Sequence, residues 1–190
     1  KQAQQLLDAP DTKTMKGTRD RAILAVLLGC GLRREEVVSL TVKHMQQRDA
    51  RWVLVDLVGK RNKTRSVPMP SWAKASVDAW LNTAGITEGF IFRPVNRGGH
   101  VVNELDDDGN IKGMTSQAVY NLVSEYADQV GMTVQPHDLR RTFAKLAHKG
   151  DAPIEQIQLS LGHSSIQTTE KYLGVRQDLA HAPCDVIELR

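Results

Sequence analysis

Several features that mark common protein classes are missing from this sequence of 190 residues. It has only two cysteines, Cys30 and Cys184, in neither a metal-binding nor a redox spacing, which fits a reducing compartment and excludes a disulfide scaffold. A membrane-spanning helix needs about 18 or more apolar residues, and the longest apolar run, Ala22 to Leu28, is far shorter. No signal peptide is visible. Because the chain begins at Lys1 without a methionine, we expect it to be a fragment of a longer protein.

Patterns that bind metals or nucleotides are also absent from the sequence. The histidines show no HxxxH spacing, which argues against a zinc site, and there is no glycine-rich phosphate loop. The run "DDDGN" invites a calcium interpretation, but placing Gly109 at the sixth loop position leaves Thr115 at the twelfth, where a bidentate glutamate is required. We therefore predict a tight turn there, with neither a metal nor a cofactor bound by the chain.

The charge of the chain is distributed unevenly. The net charge of +3 is by itself weak support for a nucleic-acid partner. However, "GKRNKTR" (59–65) and "GLRREE" (31–36) concentrate cations, whereas "ELDDDGN" (104–110) concentrates acids. A basic face and scattered charges are both compatible with this pattern.

The first half of the chain predicts helices followed by a hairpin. "TRDRAILAVLLGCG" (18–31) is typical of a buried helix, capped by Thr18 with Asp20 in its first turn and stopped by Gly29 and Gly31. "RREEVVSLTV" predicts a second helix with Val37 and Leu40 on its buried side. "ARWVLVDLVGK" and "TRSVPMP" predict two strands joined by the turn "GKRNK".

The second half is predicted to be largely helical. "SWAKASVDAWLNTAG" is an amphipathic helix closed by Gly85, and "GFIFRP" is predicted to be a short strand. "HVVNELDDDGNIKG" suits either a hairpin or an irregular loop, and "TSQAVYNLVSEYADQVG" is a capped helix. Residues 136–175 predict three short helices separated by Gly150 and Gly162. The fold class is therefore mainly α with a small antiparallel β-sheet (α+β), in one domain spanning 1–190.

The stretch "PHDLRRTFA" (136–144) places cations where a helix disfavours them. His137 and Arg140 are three residues apart, on one face of the first turn. The N-terminal end of a helix already carries partial positive charge. Either the stretch faces solvent, or an anion lies in front of it.

A second polar stretch, "LGHSSIQTTEKY" (161–172), follows a helix break at Gly162. We expect His163 to be exposed in that break, with Tyr172 nine residues later near the end of the next helix. Taken singly, an exposed histidine and a tyrosine that packs with its hydroxyl in water are ordinary surface features.

Four motifs together resemble the tyrosine recombinases, the phage-integrase and Xer-like family. They are "GLRREEVVSL", "GKRNKTRSVP", "HDLRRTFA" and "LGHSSIQTTEKY", in the family's order and at about its spacing, across nearly the whole chain from Thr18 to Gly174. The resemblance implies the family's catalytic-domain fold. It also implies that the helical DNA-clamping domain found upstream in the family is absent from this chain, because the residues before Thr18 are too few to form it.

The resemblance further implies a set of catalytic residues. They are Arg33, Lys60, His137, Arg140, His163 and the nucleophile Tyr172, with Glu36 as a structural support. Arg61 stands where the family usually has a second glycine after Lys60, so either Lys60 or Lys63 could reach the DNA; the register favours Lys60. Candidate DNA contacts are Arg34, Arg61, Lys63, Arg65 and Arg141.

The activity implied by the resemblance is site-specific recombination through a covalent 3′-phosphotyrosine, without metal or ATP. The implied partner is double-stranded DNA, on which the protein forms a tetramer, whereas this domain alone is expected to be a monomer. The implied location is the bacterial cytoplasm, for a protein of bacterial or phage origin. Two alternatives remain open. One is a type IB topoisomerase, which shares the chemistry, and the other is a DNA-binding regulator that has lost catalysis.

The C-terminal tail, residues 175–190, differs from the body of the domain. "VRQDLAHA" suits a short helix or loop, Pro183 interrupts it, and "CDVIELR" has a strand-like pattern. The tail either packs on its own domain or is disordered, or else it docks on a neighbouring protomer, as the resemblance implies for elements at this end of the chain.

Overall fold

The part of the chain described by the structure, a computed structural model, comprises residues 1–59 and 64–174 and is mostly helical with a small antiparallel sheet. This confirms the predicted fold class. The helices are α1 (Gln2–Asp8), α2 (Met15–Cys30), α3 (Arg34–Ser39), α4 (Ser71–Ala84), α5 (Ser116–Gln129), α6 (Pro136–Lys149), α7 (Ile154–Leu161) and α8 (Ile166–Leu173). The strands are β1 (Met45–Arg48), β2 (Arg51–Val58) and β3 (Thr64–Pro68), and a 3₁₀ turn, Val42–His44, precedes β1.

Helix α2 lies at the centre of the main core, as its apolar sequence predicts. Ala22 to Leu27 are fully buried, and α4 packs along the helix. Two details of the prediction were wrong. The N-cap is Thr14, whose hydroxyl accepts from the Gly17 N–H, rather than Thr18. Gly29 does not stop the helix; it leaves room for the ring of Trp72, and Gly31 ends the helix in a left-handed conformation.

Because α2 begins earlier than predicted, Asp20 lies inside the helix and not in its first turn. Its carboxylate is fully buried and is paired with Arg19 and Lys16. The hydroxyl of Tyr126 in α5 also donates to it at 3.0 Å. This polar network ties α5 to α2 inside the core.

The sheet has the order β1-β2-β3, and the predicted hairpin of β2 and β3 is confirmed. Strand β1 was not predicted, because its sequence MQQR carries no apolar alternation. A two-residue turn with positive φ at Asp49 and Ala50 connects β1 to β2. Such turns usually carry a glycine, so the sequence offered no signal for this one. A bulge between Leu54 and Leu57 bends β2.

The segment "GFIFRP" forms no strand, contrary to the prediction. Phe90 makes a single bridge to Thr41, and the next N–H, of Ile91, donates to the Leu40 carbonyl. Trp80 of α4 donates to the Ile91 carbonyl at 2.7 Å and holds this apolar segment in the core as a loop. The following residues form an irregular loop with two small turns, and Asp106 caps the predicted tight turn at "DDDGN" by accepting from Asp108 and Asn110.

Helices α6, α7 and α8 confirm the three predicted C-terminal helices and form a smaller unit beside the main core. Their own apolar centre, here called the C-terminal cluster, consists of Ala144, Ile157 and Leu161. Phe143, Tyr172 and Leu173 pack at its edge. Leu139 of α6 belongs to the main core instead, so α6 connects the two units.

Candidate active site

Arg33 enters the site at the start of α3, just after the left-handed turn at Gly31. Its backbone N–H donates to Glu36 Oε2 at 2.8 Å, and its Nη1 donates to Glu36 Oε1 at 2.9 Å. The side chain is 28% exposed. Glu36 thus orients the guanidinium of Arg33 while leaving part of it open to a ligand.

Glu36 occupies the buried centre of an ion-pair network, in keeping with the structural role predicted for it. Arg65 donates to both of its carboxylate oxygens, at 2.7 and 2.9 Å. Burial alone would raise the pKa of Glu36, but the hydrogen bonds from Arg65 and from the Arg33 backbone lower it overall. Glu36 is therefore ionised at neutral pH and holds the two arginines side by side.

Arg65 faces inward and is committed to protein partners, which does not favour its predicted role as a DNA contact. Its side chain is only 9% exposed, and beyond the pair with Glu36 its Nε donates to the Ser160 carbonyl at 2.8 Å. It also packs closely against Gly162, where a Cβ would lie 2.9 Å from its Cδ. In the sequence Arg65 ends the basic run "GKRNKTR", but in β3 strand alternation turns its side chain toward the core together with Val67.

Arg140 is almost completely buried at 2% exposure. It donates to the carbonyls of Gly31 and Leu161, one from the end of α2 and the other from the end of α7. Burial, and next the nearby Arg33, lower the pKa of Arg140 to about 10, so it stays charged at neutral pH. Two of its five N–H groups are used by these carbonyls, and the residue also lines a cavity.

That cavity brings together the residues predicted from two of the motifs. It has a volume of about 330 Å³ and is lined by Arg33, His137 and Arg140. Arg34, Tyr120 and Gln135 complete one side of it, and Arg34 lies 5.8 Å from the ring centre of Tyr120. Three guanidinium groups and an imidazole, against the single carboxylate of Glu35, make this cavity suited to an anion.

His137 of α6 contacts Tyr172 of α8. The Tyr172 hydroxyl lies 2.7 Å from His137 Nε2, and the two rings meet edge to face. Burial, followed by the charges of Arg141 and Arg140, lowers the pKa of His137. The ring is therefore neutral at pH 7, and a neutral nitrogen can accept the proton of a tyrosine.

His163 follows the left-handed turn at Gly162 and is half-buried, whereas we predicted it to be exposed. Its ring packs edge to face on Tyr172, with centroids 4.8 Å apart, and its Nδ1 lies 2.9 Å from the Thr169 hydroxyl. The prediction was wrong because α8 folds back over the break. Burial first, and then the charges of Arg140, Arg33 and Arg65, lower the pKa of His163 to about 4.

A second groove on the outer side of Tyr172 is basic. It is lined by Arg141, Lys145 and Lys171 together with Tyr172, and the Arg141 guanidinium lies 5.4 Å from the ring centre of Tyr172. Lys145 and Lys171 were not predicted as contacts. The four-residue step from Arg141 to Lys145 along α6 was a usable signal, because such a step puts both on one helix face.

Three of the predicted site residues, Lys60, Arg61 and Lys63, lie outside the described residues. Strands β2 and β3 flank them on either side. Elsewhere in the chain, over 1–59 and 64–174, no group of three or more histidine, cysteine or acidic side chains could hold a metal ion. Within the same ranges, no helix is long and apolar enough to cross a membrane.

Comparison with known proteins places this site in a family. The family model "Phage integrase family" matches residues 1–178. The chain is 32% identical over 172 residues to tyrosine recombinase XerD of Pseudomonas aeruginosa, covering 90% of the chain and 54% of that protein. It is 33% identical over 180 residues to tyrosine recombinase XerC of Myxococcus xanthus, covering 90% of the chain and 55% of that protein. The chain thus spans about half the length of these relatives.

Solved structures show the same fold. The XerA recombinase matches with a TM-score of 0.69 and 21% identity, over 92% of this chain and 58% of that one. The XerH recombinase, in a pre-cleavage complex with its difH substrate, matches with a TM-score of 0.70 and 19% identity, over 94% of this chain and 50% of that one. With the family model covering nearly the whole sequence, we conclude that this chain belongs to the phage integrase family of tyrosine recombinases.

Proposed function

We propose that this chain is the catalytic domain of a site-specific DNA recombinase that cleaves and rejoins DNA through a covalent 3′-phosphotyrosine at Tyr172. The observation that carries the proposal is the 2.7 Å contact between the Tyr172 hydroxyl and His137 Nε2, beside a cavity lined by Arg33 and Arg140. A nucleophile, its proton acceptor and two fixed cations thus come together. The relatives named XerD and XerC, and the XerH structure that holds a DNA substrate, support DNA as the partner.

Cleavage begins with the tyrosine. A phenol hydroxyl is a weak nucleophile until a base takes its proton. In the proposed step His137 takes the proton while the Tyr172 oxygen attacks the scissile phosphorus. Activation by an adjacent base is the usual device for a weak oxygen nucleophile.

The phosphate gains negative charge as the new bond forms. In the proposed step Arg33 and Arg140 donate to its non-bridging oxygens, and fixed donors of this kind stabilise a transition state without reorganising. Arg140 is held by two carbonyls and Arg33 by Glu36, so their positions are set before DNA arrives. His163, neutral and next to Tyr172, adds a further donor.

The leaving 5′-oxygen needs a proton as its bond to phosphorus breaks. Lys60, between β2 and β3 in sequence, is proposed to supply it; Lys63 is the alternative. The phosphotyrosine conserves the energy of the broken bond, so a 5′-hydroxyl can attack it, displace the tyrosine and reseal the strand without ATP. The two guanidinium groups supply the positive charge that metal ions supply elsewhere, and no step uses a metal or cofactor.

The resemblance to tyrosine recombinases supports further proposals about assembly. Two DNA sites with two strands each require four copies of the chain, so we propose a tetramer on DNA and a monomer for this domain alone. Arg34 and Arg141 are proposed DNA contacts, joined by Lys145 and Lys171 of the basic groove. The tail, residues 175–190, is proposed to dock on a neighbouring copy and lies outside the described residues. We also propose that the protein is located in the cytoplasm.

Recovery of covalent adducts tests the proposal. The chain is incubated with a pool of DNA duplexes that carry a randomised segment and strand nicks. The short downstream fragment, which bears the new 5′-hydroxyl, then diffuses away after cleavage, and its loss traps the covalent intermediate. Adducts that survive denaturation are isolated, and both the attached peptide and the DNA are sequenced. We expect a phosphotyrosine at residue 172 with a 3′-linked DNA end, formed equally well in EDTA.

The matched control is Tyr172→Phe, which keeps the ring and removes the nucleophile. It should retain DNA binding and yield no adduct. An adduct at wild-type yield from this variant would refute the assignment. DNA binding without any wild-type adduct would identify the regulator alternative, and relaxation of supercoiled plasmid without site preference would identify the topoisomerase.

A further inference from the structure

The fully buried hydroxyl of Thr169 is a feature of the site that the mechanism above does not use. Thr169 lies in the middle of α8 with no exposed surface. Its hydroxyl is 2.9 Å from His163 Nδ1. It stands three residues before Tyr172, so both side chains lie on the same face of α8.

We propose that Thr169 is a positioning residue whose hydroxyl donates to His163 Nδ1 and thereby keeps the proton of the ring on Nε2. A neutral imidazole has one donor and one acceptor nitrogen. The partner of one nitrogen decides which state the other takes. With Nδ1 occupied as an acceptor, Nε2–H is the donor available to a DNA phosphate. This inference rests on the proposed function, in which His163 donates to a non-bridging oxygen.

The direction of this hydrogen bond follows from the burial of the hydroxyl. Within residues 1–59 and 64–174, the hydroxyl of Thr169 has one hydrogen-bond partner, His163 Nδ1. If Nδ1 carried the proton and donated, the hydroxyl hydrogen would be left buried without an acceptor, at a cost of about 1–3 kcal/mol. If the hydroxyl donates to Nδ1, both groups are satisfied.

The surrounding charges make the tautomer consequential. A protonated histidine would offer donors from both nitrogens and would need no help from Thr169. Here burial first, and then the charges of Arg140, Arg33 and Arg65, lower the pKa of His163 to about 4 and keep the ring neutral. Only one nitrogen can then donate, and the wrong tautomer would turn a lone pair toward the phosphate.

The same helix therefore sets two functional groups at once. Tyr172 meets His137 from one part of α8, and Thr169 meets His163 from one turn earlier. When α8 is docked, the nucleophile and the correctly protonated donor are present together. When α8 moves away, both are lost together.

Spectroscopy of the tautomer tests the proposal without any DNA. The chain is labelled with ¹⁵N-histidine, and long-range ¹H–¹⁵N correlation spectra are recorded near pH 7.5, with His163→Gln used to assign the signals. We expect His163 to show the neutral pattern protonated at Nε2. Thr169→Val, which has nearly the same shape, should give a mixture of tautomers, and Thr169→Ser should restore the wild-type pattern.

The controls separate the hydroxyl from the fold. Thr83→Val makes the same change at an exposed position of α4 and should leave the His163 signals unchanged. Thermal unfolding of each variant shows whether Thr169→Val is folded. If wild-type His163 is protonated at Nδ1, or if Thr169→Val leaves its tautomer unchanged, the proposal is wrong.

Cleavage measurements then test the functional consequence. Thr169→Val should slow adduct formation about 10-fold, by analogy with the lower end of the effect of removing the hydrogen-bond partner of a metal-ligating histidine, and Thr169→Ser should recover most of it. In a His163→Gln background the same Thr169→Val change should have no further effect, because the group it positions is absent. Equal losses in both backgrounds would refute the positioning role.

Failure of the proposed function would look different from failure of this inference. If wild type forms no adduct while the tautomer still responds to Thr169→Val, the hydrogen bond is real and the reaction is misassigned. If adducts form normally in Thr169→Val and the tautomer does not respond, the reaction stands and Thr169 is only a packing residue.

Discussion

The two apolar centres of the molecule differ greatly in size, and the site residues are divided between them. The main core surrounds α2 and includes Trp80 and Phe92, whereas the C-terminal cluster is built on Ala144, Ile157 and Leu161. Arg33 is attached to the main core through α3. Tyr172 and His163 depend on α7 and α8, which rest on the smaller cluster.

The difference in size between the two apolar centres indicates which parts of the candidate site are rigid. Stability is not uniform across a structure, and elements with little buried apolar surface open at lower free energy than the core does. The arginines proposed to bind phosphate are fixed by buried polar contacts, while the proposed nucleophile, Tyr172, lies on the lightly packed helices. Movement of α8 could thus control the reaction without disturbing the cations.

Two arginines connect these unequal units. Arg140 donates to a carbonyl at the end of α2 and to another at the end of α7. Arg65 joins Glu36 to the Ser160 carbonyl of α7. The smaller unit is therefore aligned on the larger one by charged, buried hydrogen bonds more than by apolar packing.

The largest expected effect concerns Lys60, the proposed proton donor. Lys60→Ala should slow cleavage by about 10²- to 10⁴-fold, the range for loss of a positioned acid. A DNA substrate with sulfur at the 5′-bridging position leaves without protonation and should restore most of the rate. Rates of adduct formation on both substrates measure this rescue. If sulfur rescues Lys63→Ala and not Lys60→Ala, Lys63 is the acid.

The next effect tests the connection between the units. Arg140→Lys keeps a positive charge but replaces the two nitrogens that each hold one carbonyl with a single nitrogen. Cleavage should therefore fall by about 10²- to 10³-fold, without rescue by the sulfur substrate. Each carbonyl left unpaired in the interior should also cost about 1–3 kcal/mol of stability. Adduct kinetics and denaturant unfolding measure the two losses.

A conservative change on the surface is the control for Arg140→Lys. Arg97→Lys, in an exposed loop, should alter neither quantity. A variant of Arg140 that kept wild-type cleavage would show that the buried guanidinium does not act on the phosphate and only joins the helices.

The sequence predicted most of the helices because their apolar spacing and caps are local signals. It failed at β1, whose pairing is decided by its neighbour strand, and at "GFIFRP", where Trp80 holds an apolar segment as a loop. The candidate site residues were predicted from motifs, but their contacts were not. The inward direction of Arg65 and the partnership of His163 with Thr169 arise only when distant segments pack.

A matched pair of core substitutions measures the difference between the units directly. Ile23 and Ile157 are both almost fully buried, at 0% and 2% exposure, in the main core and the C-terminal cluster respectively. Ile23→Ala should lower the global free energy of unfolding by about 2–5 kcal/mol. Ile157→Ala should act locally, because α7 and α8 can open while the main core stays folded.

Hydrogen exchange distinguishes the two outcomes. In Ile157→Ala, amides of α7 and α8 should exchange faster while those of α2 keep wild-type protection, and adduct formation should slow because Tyr172 is less often in place. Ile23→Ala should speed exchange throughout. Uniform faster exchange in both variants would mean that the chain unfolds as one unit and that the proposed difference in rigidity does not exist.

The smallest expected effect is the change in the free energy of unfolding as the pH falls. The smaller unit contributes to this change through His163. Burial and the nearby arginines lower the pKa of His163 from 6.5 to about 4, so between these pH values the unfolded chain binds a proton that the folded chain does not. Stability must then fall as the pH drops from about 6.5 toward 4 and become independent of this group below that range.

His163→Gln removes the titration, so its unfolding free energy should decline less steeply over the same interval, while His100→Gln in an exposed loop should follow wild type. His137, whose pKa is also lowered, remains in every variant and keeps part of the slope. Urea unfolding at half-unit pH steps measures these slopes, and parallel curves for His163→Gln and wild type would show that burial and the nearby arginines do not hold His163 neutral.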